Sequence, residues 1–208
     1  MNEQLQKMVS EKTLVLFKPD TLQRAITGEV LARLERTGLK MVACKMVLPN
    51  REILDGHFPT SDENWIRGMG EKSLETYKEL GIDPVGALGT ADALEIGKRI
   101  LEWNYAYLSS GPVLAIVFEG IHAVASVRKI IGSTIPSKAL PGTIRGDYSI
   151  NSPDLANMIG SACKNMIHAS GNLEEAENEV KNWFRPEEII SWERSEDYFH
   201  FLAGEFTK

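Results

Sequence analysis

Cysteine is scarce in this chain. There are two, Cys44 and Cys163, too few for a disulfide framework, and no Cys/His spacing suggests zinc. Both lie in apolar surroundings and read as buried free thiols. Long hydrophobic runs are missing too. No stretch approaches the ~18 residues of a membrane span, and the N-terminal MNEQLQKMVSEK lacks the apolar segment of a signal peptide. We therefore expect a reducing, cytoplasmic setting with no membrane. An excess of positive charge is also absent. The formal net charge is −6, which argues against nucleic acid as a partner, because a phosphate backbone demands a basic face. A small polyphosphate needs only a few local cations and stays open.

What remains is ordinary globular material, 43% hydrophobic and 25% charged. At 208 residues the chain can bury a core without staples. Thr13–Phe17 is a β-prone run stopped by Pro19. Asp20 reads as an N-cap with Gln23 as its capping-box partner, and Leu22, Ile26, Val30 and Leu34 recur at helical spacing up to Gly38. LKMVACKMVL, residues 39–48, reads as a second strand. Residues 50–110 are less regular, with helical EKSLETYKELG and ADALEIGKRILEWNYAYLSSG flanking the loop GIDPVGALGT. GPVLAIVFEG is a buried strand, IHAVASVRKIIG a helix, and STIPSKALPGTIRGDYSINSPD a long loop. KNMIH forms a last strand. A final helix follows, with Asn172 as N-cap, Glu175 at its third position and Arg185–Pro186 as the stop. Four strands with helices on one face fit an α/β (α+β) ferredoxin-like antiparallel sandwich with a helical insertion. We read residues 1–208 as a single domain.

His168 is the first candidate for chemistry. A lone histidine is more often structural than catalytic. This one ends a strand, is followed by the small residues Ala169, Ser170 and Gly171, and precedes a helix start, which attracts anions. Lys18 in FKPD, Arg145 in PGTIRGD, and Arg128 and Lys129 on the third helix are candidate cations for a phosphate site. His57, His122 and His200 have no partner pattern, and His57 reads as a surface residue at a helix end.

TLVLFKPD, GPVLAIVFEG, PGTIRGDYSI, NMIHASGN and EEAENEVKNWFRPEE, in that order, resemble the nucleoside diphosphate kinase family, including its N-x-x-H-x-S signature. The resemblance spans about residues 12–58 and 111–190. It implies γ-phosphoryl transfer between nucleotides by ping-pong through a phosphohistidine. His168 matches the nucleophile, attacking through Nδ1 while backbone holds its other ring nitrogen. Glu179 matches the bracing glutamate and Ser170 a hydroxyl beside both. Lys18, Arg145 and Asn165 match residues binding phosphates and ribose; Arg128 and Thr134 match two more phosphate contacts. Mg²⁺ is implied as a cofactor held by nucleotide and water, and a homo-oligomer, hexamer or tetramer, as the assembly.

The chain departs from the family in several places. Phe58 stands where the family has a tyrosine, and Trp65 is the candidate base-stacking residue. Insertions fall at about 62–108 and 151–163. Ala169 and Gly171 replace the usual glycine and aspartate. A regulator or scaffold with lost turnover on the same fold is the alternative reading. A single-strand nucleic-acid binder would need exposed strand aromatics and a basic face, whereas the strand runs here are largely aliphatic and the charge is negative.

Overall fold

Alternation of apolar side chains along two central strands sets the architecture. A computed structural model describes residues 10–195. β1 (Ser10–Phe17) and β3 (Val113–Ile121) pair antiparallel at the centre of a four-stranded sheet, flanked by β2 (Lys40–Val47) and the short β4 (Ile167–Ala169). The spatial order β2-β3-β1-β4 is antiparallel throughout, the ferredoxin-like arrangement expected from the sequence.

Successive side chains on a strand point to opposite faces. Leu14, Leu16, Val113, Ala115 and Val117 enter one core, and Val15, Phe17, Ile116 and Phe118 enter another. Helices therefore cover both faces of the sheet, not one as the sequence suggested. On one side lie α1 (Pro19–Gln23), α2 (Thr27–Glu35), α7 (Ala123–Ile131) and α8 (Ile144–Tyr148). On the other lie α3 (Arg51–His57), α4 (Glu63–Leu80), α6 (Ala93–Leu108) and α10 (Leu173–Trp183). The second layer went unread because it is drawn largely from the irregular stretch 50–110.

Several local readings change. The periodic stripe from Leu22 to Leu34 is two helices, separated at Ala25, whose φ is 55°. Asp20 is not the N-cap. It is helical and buried, and it accepts a 2.5 Å hydrogen bond from the Tyr107 hydroxyl. GIDPVGALGT contains a short helix, α5 (Pro84–Leu88), with the Asp83 carboxylate capping its start and Gly89 its end. The long Pro/Gly/Ser loop is folded as a 3-10 turn at Pro136–Lys138, then α8, then α9 (Pro153–Met158). The thiols were also misplaced: Cys44 is exposed and Cys163 half-buried, both free. Cys44 faces outward because β2 is an edge strand. The Asn172 cap stands as expected, accepting from Glu175 N at 2.9 Å.

α4 and α6 form an antiparallel hairpin with a small core of its own, Tyr77, Leu88 and Ile96. Glycine permits the close crossing. A Cβ on Gly97 would lie 2.0 Å from the Ile66 carbonyl oxygen, and one on Gly70 would lie 1.8 Å from that of Ala93. The Asn157 amide of α9 donates to Ser73 Oγ of α4 at 2.9 Å, so the two segments read as insertions touch each other. The C-terminal segment lies along the β2 edge, with Ile190 N donating to Val42 O and Trp192 Nε1 to Met41 O. His200 and the rest of the aromatic tail lie outside the described residues. Among those described, no helix is long and apolar enough to cross a membrane.

The Gly97 crossing predicts that Gly97→Ala destabilises the fold by about 1–3 kcal/mol through overpacking. The urea midpoint should fall while its slope stays unchanged.

Candidate active site

β4 is three residues long and fixed by its register on β1, with Leu16 opposite His168 and Val15 opposite Ala169. This puts the His168 side chain on the Leu16 face, towards α10. Just upstream the backbone turns sharply. Met166 is fully buried at φ 67°, a conformation that strains a side-chain-bearing residue. Its carbonyl accepts from Lys18 N at 2.8 Å and from Thr21 Oγ1 at 2.6 Å. These two bonds hold the turn that carries Asn165 towards Lys18 and His168 towards α10.

Glu179 is the hub on the α10 side. Its Oε2 accepts from Ser170 Oγ at 2.6 Å, and that same hydroxyl accepts from Leu14 N at 3.2 Å. Its Oε1 lies 2.7 Å from His168 Nε2 and 3.2 Å from His57 Nδ1. The approach to His168 is close but poorly aligned, so Nε2 has no hydrogen-bond partner among the described residues. The ring nitrogen thus faces a carboxylate, where the family resemblance implied backbone. Burial raises the Glu179 pKa, opposed by His57, Ser170 and Glu175.

His57 corrects the surface reading. Its side chain is almost wholly enclosed at the end of α3, edge-on to His168 with ring centroids 4.5 Å apart. Trp183 Nε1 donates to its Nδ1 at 3.4 Å. Burial lowers its pKa to about 3, helped by His168. The sequence signal was faint: a helix-end histidine beside Phe58, with Asn50 capping the helix start.

Cations also act on His168. Lys18 Nζ donates to Asn165 Oδ1 at 2.8 Å, and Asn165 Nδ2 donates to Thr134 O at 3.0 Å. Thr134 thus joins through its main chain. Burial and then Arg145 lower the Lys18 pKa to about 8. Arg145 is buried and donates to four carbonyls: Asn165 at 3.1 Å, Gly132 at 3.0 Å, Ser133 at 3.1 Å and Ile167 at 2.5 Å. Of five guanidinium N–H groups, one remains. Burial, then Arg128, lowers its pKa to about 10. Arg128 has no ion-pair partner among the described residues. The His168 pKa falls well below the ordinary value through burial first, then Lys18, Arg145 and Arg128. Tyr107, also missed in the sequence, lies under the Lys18 ammonium, its ring centroid 5.2 Å away.

Phe58 and Trp65 stand 6.2 Å apart, ring to ring, on the wall of a cleft of about 700 Å³ that reaches His168. Trp65 is 36% exposed there. The nine residues singled out from the family resemblance are thus gathered around one imidazole, with Phe58 reaching it through His57. An unprotonated imidazole acted on by cations and a carboxylate is equipped to attack an anionic electrophile such as a phosphoryl group.

Comparison with known proteins agrees with this chemistry. The family model described as nucleoside diphosphate kinase matches residues 11–66 and 94–189. The chain is 48% identical over 183 residues to a nucleoside diphosphate kinase of Pyrobaculum aerophilum, covering 88% of this chain and 100% of that one. It is 36% identical to the Pyrococcus furiosus enzyme, covering 91% and 92% of the two chains. Among solved structures, an NDP kinase from Pyrobaculum aerophilum superposes with a TM-score of 0.84 at 46% identity, covering 88% of this chain and 100% of that one. A Borrelia burgdorferi nucleoside-diphosphate kinase, captured as a transition-state mimic with vanadate and ADP, gives 0.74 at 32% identity, covering 93% and 98%. The chain belongs to the nucleoside diphosphate kinase family. The matched ranges leave residues 67–93, most of α4 and all of α5, between them.

Both buried imidazoles stay neutral in the fold but take a proton at about pH 6.5 once unfolded. Their contribution is present above that pH and is lost as pH falls towards the folded-state values. We expect the urea midpoint to drop below about pH 6.5. His57→Gln should flatten that slope by up to about 1.4 kcal/mol per pH unit.

Proposed function

We propose that this nucleoside diphosphate kinase works by ping-pong transfer through His168. The lone pair on Nδ1 attacks the γ-phosphorus of a nucleoside triphosphate. The bond from that phosphorus to the β–γ bridging oxygen breaks, and the diphosphate leaves. A terminal oxygen of an incoming nucleoside diphosphate then attacks the phosphorus, and the N–P bond breaks. One observation carries this reading: His168 Nε2 stands 2.7 Å from the Glu179 carboxylate, while burial and the charges of Lys18, Arg145 and Arg128 press the ring's pKa down.

Each charge has a task. The Glu179 carboxylate favours the proton on Nε2, which leaves the pair on Nδ1 free. It also stabilises the positive charge the ring gains as the N–P bond forms. Ser170 fixes the carboxylate. Lys18, Arg128 and the remaining N–H of Arg145 neutralise the phosphates, and Asn165 and Thr134 complete the cradle. Phosphoryl transfer depends mainly on positioning and charge neutralisation of this kind. The described side chains around these cations include no cluster of carboxylates to cage Mg²⁺. We therefore assign the ion to the nucleotide as part of the substrate, where it offsets phosphate charge.

Base binding falls to Phe58 and Trp65, whose rings offer stacking without reading a base edge. That suits an enzyme accepting many nucleotides. A homo-oligomer is supported by exposed apolar side chains, with Leu48 at 72%, Leu140 at 73% and Ile150 at 94%.

The test mixes the chain with γ-labelled ATP and Mg²⁺, beside His168→Gln, and chases with GDP. The unmutated chain should take acid-labile label and pass it to GTP, and the variant should take none. Label on both, or on neither, overturns the role of His168. Because its pKa is depressed, the labelling rate should stay flat as pH falls to about 6. An exposed imidazole would lose half its rate near about pH 6.5.

A further inference from the structure

His57, His168 and Glu179 bring three donor atoms of metal-binding type to one point, all within 4.8 Å of one another. Each is imperfectly satisfied without a further occupant. His168 Nε2 lies 2.7 Å from Glu179 Oε1 yet makes no hydrogen bond among the described residues. His57 Nδ1 lies 3.2 Å from the same oxygen and otherwise accepts one long bond, 3.4 Å, from Trp183. Around a tetrahedral zinc ion with bonds of about 2.0–2.1 Å, donors stand roughly 3.3 Å apart. The two ring nitrogens lie within 4.8 Å of each other, so seating an ion takes a swing of the Glu179 carboxylate off Nε2 and closure of the two rings onto the ion.

The cleft supplies the matching charge and an open position. Its walls carry four carboxylates, Asp62, Glu174, Glu175 and Glu179, and no lysine or arginine. Arg128 lines the neighbouring pocket beyond Asn172 and Glu174. Two imidazoles and one carboxylate form the donor set of many zinc sites. Nitrogen donors favour zinc-class ions over Mg²⁺, which prefers oxygen and its own water.

We propose that His57, His168 and Glu179 form a binding site for a zinc-class divalent ion, and that the ion silences phosphoryl transfer by changing the tautomer of His168. A neutral imidazole has one N–H and one lone pair. When the ion takes the Nε2 pair, the single ring proton moves to Nδ1. The pair that attacks phosphorus is then gone. The ion needs no contact with nucleotide to stop the reaction, and a chelator restores it. The inhibition rests on His168 being the nucleophile; the binding does not.

The test uses the full chain stripped of metal. Co²⁺ is titrated in and the visible d–d absorption recorded, with Zn²⁺ then displacing it. We expect one equivalent per chain, a band of tetrahedral intensity, and no displacement by Mg²⁺. His57→Gln should weaken uptake by at least roughly 10- to 100-fold, since loss of even an outer partner of a metal ligand has that effect. Labelling from γ-labelled ATP, run in parallel, should vanish with one equivalent of Zn²⁺ and return with chelator. Absent stoichiometric uptake, or uptake equal in the variant, overturns the site. The stoichiometry and band of the unmutated chain decide it even if the variant fails to fold. Stoichiometric uptake with labelling unchanged overturns the tautomer mechanism. If the zinc-free chain, supplied with Mg²⁺, takes no label, the nucleophile reading falls, and uptake still decides the site.

Discussion

The pairing of β4 with β1 is the constraint on which the site depends. Three residues of strand set which way His168 points, and a slip of one residue would turn its ring to the opposite face of the sheet, away from Glu179. So short a ladder cannot hold itself. The carbonyl of strained Met166 anchors one end through two donors, and the Ser170 hydroxyl anchors the other by joining Leu14 N to Glu179. The same atoms that fix the strand therefore aim the imidazole. A chain that lost this register would keep most of its core and lose its chemistry.

Charges of both signs act on one ring: Lys18, Arg145 and Arg128 press its pKa down, while carboxylates of α10 and of the α4 start line the cleft it faces. Burial makes both fields strong and both imidazoles neutral, because a proton on either ring would have little water to hydrate it. The cost lies in stability at acid pH. The gain is a pair of imidazoles whose state is set by the fold and not by the buffer.

The sequence made much of this legible, for identifiable reasons. β1, β2, β3, the Asn172 cap and the His168–Ser170 signature are local patterns, and they stand where the spacing put them. What escaped depends on distant partners. Asp20 looked like a cap because its buried role comes from Tyr107, 87 residues away. His57 looked exposed because the residues that enclose it, His168 and Trp183, are more than a hundred positions further on. The second helical layer was hidden because its helices pack on a sheet face and on one another through residues distant in the chain. Family resemblance named the phosphate-side residues, but it could not name His57 in the pocket.

Arg145 commits four of its five donors to main-chain carbonyls. Its charge is a fixture of the scaffold and cannot lean after a departing group. An anion arriving as donor and one leaving as product meet the same field in the same place. A catalyst built on such a fixture has no preferred direction of its own. It runs whichever way the concentrations of the two nucleotide pools push it, and serves to level them.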